Sequence, residues 1–175
     1  MSKAKHTMKK RSAYRPKPIK SDPMRAALAR QCVLTNDERL IVMREARPAL
    51  ERVRLGTFHR QDWAYLADAA NVGEALSTIG ICSDAPSVAL LTAMQQALKA
   101  IAERANGGKW VARGPELVAI KDGLDRHEIQ LEFCSLHELR RAVEMVQKNV
   151  RAAREGRFNC VSIIDRPSRA EAVSA

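Results

Sequence analysis

Apolar residues recur at steps of three and four over most of the chain, which is the spacing of the buried face of an α-helix. The pattern predicts a short first helix from Met24 to Val33. Thr35 then precedes Glu38 by three residues, the arrangement of a capping box, so a second helix is expected to begin there. That helix should end near Gly56. Pro48 inside it predicts a kink or a new start, because proline clashes with the preceding turn.

Four further helices follow from the same spacing. One begins between residues 57 and 61, one at residues 83–86, one at Gly114, and the last at a second capping box formed by Ser135 and Glu138. The positions expected to be buried are Trp63, Leu66, Ala70, Gly73, Leu76 and Ile79 in the first of these helices, Leu91, Met94, Leu98 and Ile101 in the second, Leu117, Ile120, Leu124, His127, Leu131 and Cys134 in the third, and Leu136, Leu139, Val143, Val146 and Val150 in the last.

The expected fold class is all-α: an irregular antiparallel bundle of about five or six helices with a flexible basic N-terminal arm. The arm covers residues 1–22, the helical domain residues 23–157, and a C-terminal tail residues 158–175. Phe158–Ile164 in the tail is a candidate short strand, and Lys109–Ala112 a short extended connection. Aromatic residues make up only 4% of the chain, a composition that suits helices better than sheets.

Positive charge is concentrated at the N-terminus. The formal net charge is +10, and eight of the 30 Lys and Arg residues lie in positions 1–20, which contain no Asp or Glu. The other 22 stand against 20 acidic residues, so the rest of the chain is nearly neutral. Pro16 and Pro18 and the repulsion of like charges prevent a regular element in the arm.

Clustered Lys and Arg residues neutralise phosphates, which predicts that the arm contacts DNA or RNA. An aromatic ring between arginines can stack on a base. The candidate nucleic-acid-binding residues are Lys9, Lys10, Arg11, Tyr14, Arg15, Lys17 and Lys20. Two other interpretations stay open: a solvated tail, or a contact with an acidic protein. Basic residues of the last helix extend the positive field, but Glu144 and Glu155 interrupt them, so a solvated helix face is the default interpretation there.

A helix-turn-helix is the natural companion of a basic arm, and Leu66–Leu76 carries part of its pattern. With Ala67 as the small residue and Asn71 in the turn, the position that requires a large apolar side chain falls on Ser77. An uninterrupted amphipathic helix explains this segment better.

His127 lies on the apolar face of its predicted helix. With no second ligand at helical spacing, a core histidine bonded to a backbone carbonyl or a neighbouring carboxylate is a better interpretation than a catalytic or metal-binding one. Cys134 and His137 are three residues apart, but the capping residue Ser135 lies between them and no matching pair occurs elsewhere, so no metal site is expected.

Sequence motifs of catalysis are absent: the chain contains no phosphate-binding loop, no Gly-x-Ser-x-Gly and no His-Glu-x-x-His. A protein that is not an enzyme and uses no cofactor is therefore expected. There is no apolar run of membrane-spanning length and no apolar segment after the charged N-terminus, so neither a membrane protein nor a secreted one is expected. Four scattered cysteines suit free thiols in a reducing cytoplasm.

Several segments resemble small basic helical proteins encoded by phages and prophages of proteobacteria. The similarity covers Lys9–Pro18, Asp62–Leu76, Gly80–Ile81 and Leu124–Leu131, and continues in the final helix. The resemblance implies expression in the cytoplasm of a bacterial host. It carries over no functional residues.

Two functions agree with these observations. The first is a phage-type accessory protein that binds nucleic acid non-catalytically through its arm. The alternative is a protein-binding module that inhibits or redirects a host enzyme or defence complex, because a nearly neutral helical body suits a protein partner.

Overall fold

The computed structural model describes residues 32–105 and 108–155. These ranges lie within the predicted helical domain, so the arm and the tail, with its candidate strand, are outside the described residues. In the described part the chain forms six helices and no strand, which confirms the all-α prediction. The helices are α1 (Asn36–Met43), α2 (Ala46–Leu55), α3 (Arg60–Thr78), α4 (Ala85–Ala105), α5 (Gly114–Phe133) and α6 (Leu136–Arg154).

Both predicted capping boxes are present. The Thr35 hydroxyl accepts from the backbone N–H of Glu38 at 3.3 Å, and the Glu38 carboxylate accepts from the N–H of Thr35 at 2.8 Å. Ser135 and Glu138 repeat the arrangement at 3.3 and 2.7 Å. Each box satisfies backbone donors that a helix start leaves without partners, which fixes the starts of α1 and α6.

Pro48 produces the predicted new start. The helical run breaks at residues 44–45, and Pro48 lies in the first turn of α2. A proline ring clashes with the carbonyl four residues earlier, so a continuous helix through Arg44 is excluded. Gly56 then ends α2 in a left-handed conformation at φ 71°, which glycine adopts without a side-chain clash.

The core lies around α3, which packs against α2, α4, α5 and α6. The predicted apolar stripes supply most of its side chains. The predicted positions that are half-buried instead are Ile79, Leu117, Leu136, Val143, Val146 and Val150. The fully buried large aliphatic residues are Leu66, Leu76, Leu91, Met94, Leu98, Ile101, Ile120, Leu124 and Leu131. The tightest helix pair is α4 with α5, because Gly123 brings the two backbones together: a Cβ built there would lie 2.5 Å from the Cβ of Met94.

Lys109–Ala112 is a connection between α4 and α5 without helix or strand, and it carries Trp110 onto the core, with its ring centroid 6.2 Å from that of Phe58 and 5.8 Å from that of Trp63. One local prediction needs correction. Most of the helix predicted for Met24–Val33 lies outside the described residues. At its end, Val33 is not helical, because it forms an antiparallel bridge with Ser135.

Candidate nucleic-acid interface

The arm residues predicted to contact nucleic acid lie outside the described residues, but the point where the chain enters the fold is described. Val33 forms its backbone bridge with Ser135, and the N–H of Leu34 donates to the carbonyl of Cys134 at 3.0 Å. Ser135 is the N-cap of α6. The chain that leads from the arm therefore joins the bundle beside the first turn of α6.

α6 is strongly amphipathic, with its inner face against the bundle. Leu139 and Ala142 are buried, and Val143 and Val146 pack against the core. With about 100° of rotation per residue, the exposed positions fall within an arc of about 120° on the opposite side. They are His137, Arg140, Arg141, Glu144, Gln147, Lys148 and Arg151.

Four of these exposed residues, Arg140, Arg141, Lys148 and Arg151, are basic, and we call them the basic face of α6. Within the described residues none of the four forms an ion pair. Basic residues of the other helices are frequently paired, as in Arg39–Glu132 at 2.8 Å, Arg52–Asp62 at 2.6 Å, Arg104–Glu116 at 2.6 Å, Lys121–Asp125 at 2.9 Å and Arg126–Asp84 at 2.8 Å. The exposed surface of α6 therefore carries four cations and one carboxylate, that of Glu144, which leaves a net positive charge.

The ion pairs on the other helices also lower the pKa values of their acidic partners. The Lys121 and Arg47 side chains lower the pKa of Asp125 against the opposing effect of burial. Hydrogen bonds from Ser87 lower the pKa of Asp84, with Arg126 adding to the effect. These carboxylates stay ionised at neutral pH and cancel the cations beside them. Among the described helices, α6 is therefore the one with a cluster of four exposed cations that form no ion pair.

α3 shows no helix-turn-helix. It runs without interruption from Arg60 to Thr78, as predicted. Asn71, which would lie in the turn of a helix-turn-helix, and Ser77, which would belong to its recognition helix, are both buried within α3. A helix-turn-helix mode of DNA binding through this segment is therefore excluded.

His127 is a core histidine, as expected, but its partner differs from the expected carbonyl or carboxylate. Its Nδ1 lies 3.3 Å from Oε1 of Gln130. The Nε2 of Gln130 donates to the carbonyls of Gly73 and Ile81 and to the hydroxyl of Ser77, at 3.0, 3.2 and 2.8 Å. The Gln130 oxygen is thus the acceptor, which assigns the proton to His127 Nδ1.

Burial makes His127 unsuited to proton transfer near neutral pH. It lowers the pKa of His127 to about 4, so the ring is neutral and serves as a donor within the network. Cys134 is also buried, which raises the pKa of its thiol to about 11, while His137 is exposed on α6. Among the described residues no group of three or more His, Cys, Asp or Glu side chains is placed to hold a metal ion.

A groove of about 300 Å³ lies where α3, α5 and α6 meet the start of α2. Its walls are mainly apolar, with Val42, Val72 and Val143 among them, and Glu45 and Asp68 add acidic side chains. Val42 belongs to α1, and the two residues before it in that helix, Leu40 and Ile41, are exposed. An apolar groove next to exposed aliphatic side chains is typical of a contact with another protein.

The comparisons with known proteins do not add to these observations. No protein-family model, curated protein or solved structure matches the chain. Among the described helices, none combines the length and the apolar character needed to cross a membrane.

Proposed function

We propose that this chain is a phage-type accessory protein that binds nucleic acid non-catalytically, through its basic arm and the basic face of α6. The observation that carries the proposal is the distribution of charge: four exposed cations that form no ion pair on the described α6, and a cluster of Lys and Arg in the sequence of the arm. The chain that leads from the arm enters the fold at Val33, beside the same helix. Cations that are close in space attract phosphates and release their counterions.

The arm supplies most of the charge in this proposal. Lys9, Lys10, Arg11, Arg15, Lys17 and Lys20 pair with phosphates, and Tyr14 stacks on a base where one is exposed. The chain that follows the arm is held at Val33 and Leu34, beside the start of α6. The arm and the basic face of α6 then contact the same stretch of nucleic acid, so that each raises the local concentration of the other.

The absence of catalysis belongs to the same proposal. His127 lines the apolar groove, but burial lowers its pKa to about 4 and its ring is bonded to Gln130, so the proposal gives it no catalytic role. The binding function needs no cofactor and no metal, and it acts in the cytoplasm of a bacterial host.

Fluorescence anisotropy with labelled DNA and RNA tests the proposal. We expect the full chain to bind, and a chain that starts at Ser21 to bind more weakly. Lys148→Ala should also weaken binding, whereas Lys99→Ala is the matched control because Lys99 is an exposed lysine of α4 without an ion pair in the described residues. Equal affinity of the full and shortened chains would contradict the role of the arm. Equal effects of the two lysine variants on affinity would contradict the role of α6.

A second candidate function is a protein-binding module that inhibits or redirects a host enzyme or defence complex. The apolar groove favours it, together with the exposed Leu40 and Ile41 of α1. Under this alternative a host protein stays bound after nuclease treatment and is lost in Val42→Asp, which changes the groove. Val118→Asp, on an exposed valine of α5, is the control. Capture that disappears with nuclease supports the first function instead.

A further inference from the structure

The outer face of α6 has an ordered charge pattern. Glu144 lies at the centre of the exposed arc, Arg140 and Arg141 lie one turn before it, and Lys148 and Arg151 lie one to two turns after it. The face thus presents two positive groups with a carboxylate between them. A helix that only attracted phosphates would gain by having a cation or a neutral residue at Glu144, so the pattern indicates a target with phosphates on both sides of Glu144.

The arrangement of the cations around the helix identifies a target of that kind. At about 100° of rotation per residue, Arg140 and Arg151 lie on one side of Glu144, and Arg141 and Lys148 lie on the other. The major groove of B-form DNA is about 12 Å wide and admits an α-helix. Its two edges are rows of phosphates, and its floor carries base edges that include hydrogen-bond donors.

The composition of α6 disfavours single strands. Binding to a single strand relies on aromatic side chains on which bases stack, and α6 contains none. Of the described aromatic residues, Phe58 and Trp63 are buried, and Phe133, the exposed one, belongs to α5. The major groove of an A-form RNA duplex is deep, narrow and closed to side chains. B-form DNA remains as the form that fits the helix.

We propose, on the basis of the nucleic-acid-binding function above, that α6 lies along the major groove of double-stranded DNA. Arg140 and Arg151 contact the phosphates of one strand, and Arg141 and Lys148 those of the other. Glu144 reaches the floor of the groove, where a carboxylate accepts a hydrogen bond from the N4 amino group of cytosine. The arm, which joins the fold beside the first turn of α6, reaches further phosphates at that end.

The test uses the full chain and two DNA duplexes of equal length, sequence and backbone charge. One contains ordinary cytosines, and the other contains glucosylated 5-hydroxymethylcytosines, whose sugars fill the major groove. We expect the filled groove to lower affinity about tenfold or more, roughly the value of one good contact to a base edge. A single strand and an RNA duplex of the same sequence should also bind more weakly than the ordinary DNA duplex.

The outcomes separate this inference from the function on which it rests. Equal affinity for the open and filled duplexes, or tighter binding of single strands or RNA, would overturn the major-groove inference and leave nucleic-acid binding standing. No binding to any of the four ligands would refute the proposed function itself and the inference with it.

Glu144→Gln tests the contact with the base edge. If Glu144 only repels phosphates, the variant binds G·C-rich and A·T-rich duplexes more tightly by the same factor. If Glu144 reads cytosine, the variant loses preference for G·C-rich duplexes and gains preference for A·T-rich duplexes, because an amide pairs with adenine in the major groove. A uniform gain would therefore contradict the assignment of Glu144.

Discussion

Gly123→Ala should destabilise the fold, because the new methyl group has no space. Its Cβ would lie 2.5 Å from the Cβ and 2.9 Å from the sulfur of Met94 on α4. The sulfur can move with its flexible side chain, but the Met94 Cβ is fixed to the backbone, so α4 and α5 must separate. Inserting a methyl group into a packed core costs about 1–3 kcal/mol, and this site belongs at the upper end because rotamer changes cannot relieve the clash.

The gain in helix propensity offsets part of that cost. Replacing an interior helical glycine by alanine contributes about 1 kcal/mol, so the net loss for Gly123→Ala should be about 1–2 kcal/mol. Gly114→Ala, in the first position of the same helix, is the control, because nothing lies within 4 Å of its added Cβ. Urea unfolding followed by circular dichroism at equal protein concentration gives both values. Wild-type stability of Gly123→Ala, with Gly114→Ala also unchanged, would refute the close approach of α4 and α5.

Two further predictions concern the core histidine and the start of α6. The pKa of His127 is about 4 in the fold against 6.5 for an ordinary histidine, so the unfolded chain binds a proton that the folded chain does not. Stability should therefore fall as the pH drops from about 6.5 to about 4, by up to about 3 kcal/mol. Urea midpoints at several pH values should lose this dependence in His127→Phe, and an unchanged dependence in that variant would contradict the assignment. Ser135→Ala removes the hydroxyl that accepts from Glu138 N–H and should lower the free energy of unfolding by about 1 kcal/mol in the same assay. Ser83→Ala, on an exposed serine without a capping bond, should change stability little, and equal effects of the two variants would refute the cap.

Features encoded by a few neighbouring residues were predictable from the sequence. The capping boxes at Thr35 and Ser135 depend on side chains three residues from the backbone groups they satisfy. The new start at Pro48 depends on a covalent property of proline. The buried stripes follow from the period of the helix, which also placed His127 in the core.

Features that depend on contacts between helices were not predictable. The partner of His127 is Gln130, and that assignment requires the other contacts of Gln130, to Gly73 and Ser77 of α3. The role of Gly123 depends on Met94, which is 29 residues away in the sequence. Neither could be inferred from helical period alone.

The basic face of α6 lies between these cases. Its residues are visible in the sequence, where Glu144 made a solvated face the default interpretation. The structure adds that the cations of other helices pair across helix boundaries, as Arg47 does with Asp125 and Glu128, while those of α6 do not pair within the described residues. It also adds that the chain from the arm enters beside Ser135, a neighbourhood that depends on tertiary structure.

The most direct test of nucleic-acid binding is the salt dependence of affinity for a short DNA duplex. Each phosphate contact contributes a slope of about −0.9 to the plot of log affinity against log salt concentration. We expect a slope of several units for the full chain, smaller by about one unit in Lys148→Ala and unchanged in Lys99→Ala. No measurable binding, or an affinity that does not change with salt, would contradict the account.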